Sequence, residues 1–242
     1  MRVAALYDVH GNLPALEAVL EEAADYRPDL IIFGGDVASG LLPVETLDLL
    51  MTLEDVRFVR GNADRALVEM YDQERKSDGL ADEWVVAQIT PRHRDFLDAF
   101  ETKVVADGTL YCHATPHDDE PIFTRLSLDE RVRRLIGYVE HDLVVCGHTH
   151  MQFDRTVYGI RVVNAGSVGM PYGTTEACWA LVEDGEVDLR RTWYDLETAA
   201  ERLRRSGHSQ AKTLVAENVL TSPSEEEAIE FFEELAARPD AP

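Results

Sequence analysis

Five times along this chain a short apolar run ends abruptly in glycine, aspartate, asparagine or histidine. The runs are RVAALY (2 to 7), DLIIFG (29 to 34), VRFV (56 to 59), LYCH (110 to 113) and DLVVCG (142 to 147). Each has the length of a buried strand, and most are separated by stretches with helical periodicity. LPALEAVLEEAADY (13 to 26) is the clearest of these, with Pro14 in its first turn. Others cover about 43 to 52, much of 65 to 100, and about 127 to 138. Strands alternating with helices build βαβ units with parallel pairing, so the expected class is α/β, or α+β by some schemes, rather than all-β. After residue 150 the texture changes. RTVYGIRVVNAGS (155 to 167), TEACWALVED (175 to 184) and EVDLRRTWY (186 to 194) predict antiparallel strands, the last two joined by a tight turn at Asp184 and Gly185. A single domain over 1–242 is expected, with a helical, acidic C-terminal extension at about 195–242 whose last four residues, PDAP, are loose.

The chemistry lies where the strands stop. YDVHGN offers Asp8 and His10, GGDV offers Asp36, RGNAD offers Asn62 and Asp64, CHAT offers His113, and CGHTH offers His148 and His150. Ligands of open α/β sheets sit outside the carboxyl ends of strands, so these five segments can converge on one place. Taken singly, each is equally a turn, a helix cap or a solvated histidine. Taken together, they gather four of the chain's eight histidines beside aspartates and an amide. If extended geometry continues past Cys146, His148 and His150 point the same way and can hold a metal ion. Oxygen and imidazole ligands in this mixture suit Mn, Fe, Zn or Ni, and seven ligands allow two cations to share one carboxylate.

Charge narrows the partners. The chain has 46 acidic and 23 basic residues among 242, a formal charge of -23, which repels nucleic-acid and lipid phosphates. Long polyanions are disfavoured as partners, and a small phosphorylated substrate is compatible with the strand-end residues. No run approaches the roughly 18 to 20 apolar residues of a membrane span, and no apolar leader follows Met1, so a cytoplasmic protein without membrane association is expected. Self-association into a homo-oligomer stays open. Cys112, Cys146 and Cys178 each fall in an apolar strand and are expected to be reduced and buried. Near the end, Glu225, Glu226, Glu227, Glu230, Glu233 and Glu234 interleave with Ile229, Phe231, Phe232 and Leu235, the pattern of a helix with one solvated acidic face; a partner-binding helix is the alternative.

The ordered motifs Asp8 to His10, Gly35 and Asp36, Gly61 to Asp64, His113, and Gly147 to His150 resemble the pattern DxH, GD, GNx(D/E), H and GHxH of the calcineurin-like metallophosphoesterase superfamily. The resemblance runs from the N-terminus to about residue 194. It includes NAGSVG (164 to 169), similar to the NPGSVG segment of the small bacterial and archaeal phosphodiesterase branch. It implies a four-layer fold, a two-sheet sandwich flanked by helices. It also implies a metal-dependent phosphoesterase acting on phosphodiesters or phosphomonoesters through a dinuclear centre and a metal-bridging hydroxide. Carried over by motif position, Asp8, His10 and His150 hold one divalent cation, Asn62, His113 and His148 hold the other, and Asp36 bridges them. Asp36, Asn62, His113 and Asp64 are thus the residues expected to serve catalysis. Asp64 either orients a ligand or water or caps a helix, and Arg60 either touches phosphate or forms a surface ion pair.

One position departs from the better-known protein phosphatases of this superfamily. The histidine that they carry between the asparagine and the acidic residue, given the role of leaving-group acid, is Ala63 here. His117, in the loop after His113, is the substitute if that loop folds back. Without an acid, leaving groups already stable as anions are favoured, as in aryl phosphodiesters and phosphoanhydrides. Proteins resembling this one are often labelled diadenosine tetraphosphatases, so a dinucleoside polyphosphate hydrolase is the alternative enzyme reading. A metal-stabilised scaffold or interaction protein is the non-enzyme alternative.

Overall fold

The computed structural model describes residues 1–77 and 80–238; the expected loose terminus at 239–242 lies outside the described residues. Two five-stranded sheets face each other. One runs in the order β10 (Glu186–Thr192), β9 (Ala177–Glu183), β1 (Arg2–Leu6), β2 (Leu30–Phe33), β3 (Val56–Phe58). The other runs β4 (Lys103–Ala106), β5 (Thr109–Cys112), β6 (Leu143–Cys146), β8 (Ile160–Asn164), β7 (Phe153–Val157). The alternation seen in the sequence becomes parallel pairing of β1 with β2, β2 with β3, β5 with β6 and β6 with β8. The later strands add antiparallel pairs at the edges, β10 on β9 and β7 on β8. The β9–β10 turn falls at Asp184 and Gly185, both with positive φ (52° and 80°), as a two-residue hairpin of this twist requires.

Period two along β1 divides its side chains between two interiors. Val3 and Ala5, with Tyr7 beyond the strand, face the second sheet and pack with Ile32, Tyr111, Val145 and Val163. Ala4 and Leu6 face the opposite way, into a core with Leu16 and Val19 of α1 (Leu13–Tyr26) and Leu47 of α2 (Pro43–Leu50). That core also takes in Leu67 of α3 (Asn62–Tyr71), Val85 of α4 (Leu80–Val86) and Leu97 of α5 (Pro91–Asp98). On the far side of the second sheet, Val132 and Ile136 of α6 (Asp129–Ile136) cover Leu110, Val144 and Val162. The result is four layers: helices, sheet, sheet, helix. Tyr7 ties the middle layers together, its buried hydroxyl donating 2.9 Å to the Val145 carbonyl.

The acidic C-terminal segment is helical. It comprises α7 (Leu196–Arg204), α8 (Ala211–Val215) continued by a π-helical turn over Ala216–Leu220, and α9 (Glu225–Ala236). In α7 and α8, Leu203 and Val215 are buried in the core that α1 shares. In α9, Ala228, Ile229 and Phe232 pack on Ile122 and Met151, which leaves Glu226, Glu227, Glu230 and Glu234 outward and Phe231 exposed, whereas Glu233 departs from the expected solvated face and accepts from the buried hydroxyls of Thr124 and Ser127. The three cysteines are free thiols, all buried. Among the described residues no helix is long and apolar enough to cross a membrane.

Candidate metal centre

The loops leaving β1, β2, β3, β5 and β6 meet at one end of the sandwich. Asp8, His10 and His150 form one trio of side chains and Asp36, His113 and His148 another, the ligand atoms within each trio lying within 4.8 Å of one another. Asp36 Oδ2 lies between them, 3.8 Å from His10 Nε2 and 3.6 Å from His113 Nε2. Asn62, the first residue of α3, places Oδ1 3.0 Å from His113 Nε2. All seven residues singled out by the motifs therefore lie together, and Asp8, Asp36, His113 and His150 are buried.

The backbone that achieves this is unusual. Asp8, His10, Asp36, His148 and His150 all adopt left-handed φ, between 47° and 69°, where non-glycine residues are uncommon. Such conformations cost on the order of 1–3 kcal/mol each and cluster at functional sites. They also correct the extended-strand expectation for CGHTH. His148 and His150 do not point the same way; the chain coils after Cys146, and each histidine enters a different trio. Glycines give the carboxylates room: a Cβ at Gly61 would stand 2.1 Å from Asp36 Oδ1, and one at Gly147 2.5 Å from Asp8 Oδ2.

The protons can be placed from the partners. His10 Nδ1 lies 3.1 Å from the Ser39 carbonyl, His150 Nδ1 2.9 Å from that of Met170, His113 Nδ1 2.8 Å from that of Gly34, and His148 Nε2 3.0 Å from that of Glu120. A carbonyl oxygen only accepts, so each of these nitrogens carries a proton, and when the ring has no second proton the other nitrogen presents a lone pair. Those lone pairs face each other: His10 Nε2 and His150 Nε2 are 3.1 Å apart, His113 Nε2 and His148 Nδ1 3.2 Å. Asp8 Oδ1 is buried with no hydrogen-bond partner. Ring nitrogens and carboxylate oxygens aimed at common points are what divalent cations require, so the residues present fit a pair of such ions.

The electrostatics agree. Burial, reinforced by His150, lowers the His10 pKa, and burial with His113 alongside brings His148 down to about 4. Burial alone would lower His113 too, yet Asp36 and Asp8 hold it above its ordinary value, and a cation would replace that proton. Against its burial, Asp8 is kept well below the usual carboxylate range by His150 and His113.

Around the trios, Asp64 is fully buried and does two things at once. It caps α3 by accepting from Gly61 N at 3.0 Å, and it grips the Asp36 loop by accepting from Asp36 N at 2.7 Å and Val37 N at 3.0 Å. Burial and the Asp36 carboxylate push its pKa up. Ala63 N donates 2.8 Å to Asp36 Oδ1, so this residue contributes its backbone while its side chain is a methyl group. His117 is exposed, its ring against Gly137 at the end of α6, and the fold does not bring it into either trio. Arg60 is an ion-pair partner of Asp119 at 3.4 Å. Sequence reasoning missed the four orienting carbonyls, which leave no residue signature. It also missed the work of the NAGSVG segment, where Ser167 Oγ donates 2.7 Å to the Asp8 carbonyl and Asn164 Nδ2 donates 2.6 Å to that of Gly147. The segment itself was visible as a motif; the bonds were not.

Comparison with known proteins gives a consistent picture. Residues 1–185 match the calcineurin-like phosphoesterase superfamily domain. An uncharacterized protein of Methanocaldococcus jannaschii is 26% identical over a region covering 83% of this chain and 91% of that protein. Among solved structures, a metallophosphoesterase from Sphaerobacter thermophilus is similar at 25% identity, covering 89% of this chain and 99% of that one, with a TM-score of 0.72. A hypothetical protein from Pyrococcus horikoshii OT3 shares the fold at 18% identity, 91% and 99% coverage and a TM-score of 0.75.

Proposed function

Because this chain belongs to the calcineurin-like phosphoesterase superfamily, we propose that it hydrolyses phosphate esters at a centre of two divalent cations. Asp8, His10 and His150 would hold one, Asn62, His113 and His148 the other, and Asp36 both. The observation that carries this reading is the Asp36 carboxylate, within 3.8 Å of a histidine from each trio. Bound divalent cations supply Lewis acidity toward phosphoryl oxygens and lower the pKa of water held between them. The chain's own residues supply the rest. Backbone carbonyls accept from one ring nitrogen of each of four imidazoles and aim the other inward, and Asp64 fixes the loop that carries Asp36.

What these residues do not supply is a proton for the leaving group. Position 63 presents a methyl group, and His117 lies elsewhere. Esters and anhydrides whose leaving group is stable as an anion are therefore the favoured substrates, which keeps dinucleoside polyphosphates beside aryl phosphodiesters as the second reading. A panel of aryl phosphodiesters, aryl monoesters and dinucleoside polyphosphates on metal-reconstituted protein separates the two. Turnover of none, with metal bound, leaves the scaffold reading. Elemental analysis after reconstitution with Mn or Fe should find two cations per chain; a stoichiometry held at one or below counts against the dinuclear centre.

A further inference from the structure

Beside the first trio lies a partly enclosed cavity of about 270 Å³. His10 forms part of its wall, as do Ser39 and Met170, the residues whose carbonyls hold His10 and His150 in their tautomers. The opposite wall comes from the C-terminal helices: Leu203 of α7, Leu214 of α8, and Asn218 of the π-helical turn. That wall lies beyond residues 1–185, the part of the chain that matches the family domain. The π-helical turn is a wide, uncommon conformation that occurs often at functional sites, and here it presents Asn218 to the cavity.

We propose that this cavity seats a flat aromatic ring carried on the phosphate of the substrate. The inference rests on the phosphoesterase reading. An apolar cavity of roughly 150 Å³ takes up benzene, so this one has room for a phenyl ring or a nucleobase. Its contact with His10 puts it next to where the phosphate would sit. A chain with a formal charge of -23 repels phosphate anions, and an apolar seat for the ester group offsets that repulsion. The ring can come from an aryl ester or from a nucleotide; the chemistry of recognition is the same.

Isothermal titration calorimetry on the manganese-loaded full chain tests this, with methyl phosphate, phenyl phosphate, ribose 5-phosphate and adenosine monophosphate as probes. Phenyl phosphate should bind ~10-fold or more tighter than methyl phosphate, from the apolar area that it buries. Leu214→Trp, which fills the cavity, should bring that ratio close to one. Asn218→Phe fills it from the π-helical turn of the same wall and serves if the first variant fails to fold, as judged by metal content and circular dichroism. Phe231→Ala, exposed and outside the lining of the cavity, should keep the ratio. Adenosine monophosphate binding tighter than ribose 5-phosphate, with the gain lost on filling, assigns the seat to nucleotides; a gain for phenyl phosphate alone assigns it to aryl esters. A ratio near one in the native chain, or a ratio that both folded filling variants leave intact, overturns the proposal. If the ratio is found but no ester is turned over, the phosphoesterase reading fails and the seat stands. If esters are turned over without the ratio, the seat alone fails.

Discussion

The strand-end loops and the C-terminal helices border the same space and are held in place by different physics. In the loops six of the seven candidate ligands are fixed atom by atom, through a carbonyl on one ring nitrogen, a left-handed φ, or a glycine that leaves room for a carboxylate, and Asn62 is set by the first turn of α3. In the helices Leu203 and Val215 are fixed by burial in a shared core and Asn218 by a wide helical turn. Cation binding demands particular atoms at particular distances, whereas an apolar wall demands only volume and accepts side chains of similar size. The first kind of region therefore carries a motif and the second does not.

The strongest way to break this contrast is Asp36→Asn, which removes the charge between the two trios. Activity toward bis-p-nitrophenyl phosphate on reconstituted protein should fall to the detection limit, and a small loss would place the chemistry elsewhere. Next is the leaving group. Single-turnover rates for aryl diesters should exceed those for simple alkyl phosphates by a margin of about 10²- to 10⁴-fold beyond their intrinsic reactivity difference, the contribution of a positioned acid that Ala63 cannot make. Ala63→His should narrow that margin while keeping the N–H that Asp36 accepts. If instead the margin is absent in the native chain, another acid acts, and His117→Ala becomes the variant to measure. Asp64→Asn should be milder, about 10- to 100-fold in activity or metal affinity, because Asp64 grips the loop of Asp36 and enters neither trio. Equal losses for the two aspartates would erase the distinction between ligand and support. The smallest effect should come from the helical region. Ser224→Ala removes the cap of α9 and should cost about 1 kcal/mol, or roughly 2–4 °C in melting temperature, with metal stoichiometry the same as that of the native chain.

The same contrast explains what was legible in the sequence. The period of LPALEAVLEEAADY with Pro14 in its first turn specifies a helix, and α1 occupies those residues, Leu13–Tyr26. The strand-end motifs were visible because polar residues of few types end each apolar run, and the structure brings six of these residues into two trios with Asn62 beside His113. The relative directions of His148 and His150 were not visible, since alternation along a strand assumes extended backbone and both residues leave it. β4 was missed because only Val104 and Ala106 of its four residues are buried, too short a pattern to rise above the loop around it. The cavity wall had no signature, for leucines at helical spacing look alike whether they face a core or a cavity.

The carbonyls that hold the four histidines come from distant stretches of chain. Ser39 serves His10, Gly34 serves His113, Glu120 serves His148 and Met170 serves His150, with separations from 20 to 79 residues. A histidine in the unfolded chain exchanges freely between tautomers, and only the assembled loops select the one whose lone pair faces inward. The centre thus does not exist in any local fragment, and the unfolded chain offers cations only scattered, poorly matched donors. The binding energy of any cation held there would fall almost wholly on the native state, about 2.7 kcal/mol for a site filled at a hundred times its dissociation constant. Cations bound there would in this way favour chains whose two sheets have closed and leave the others without that hold.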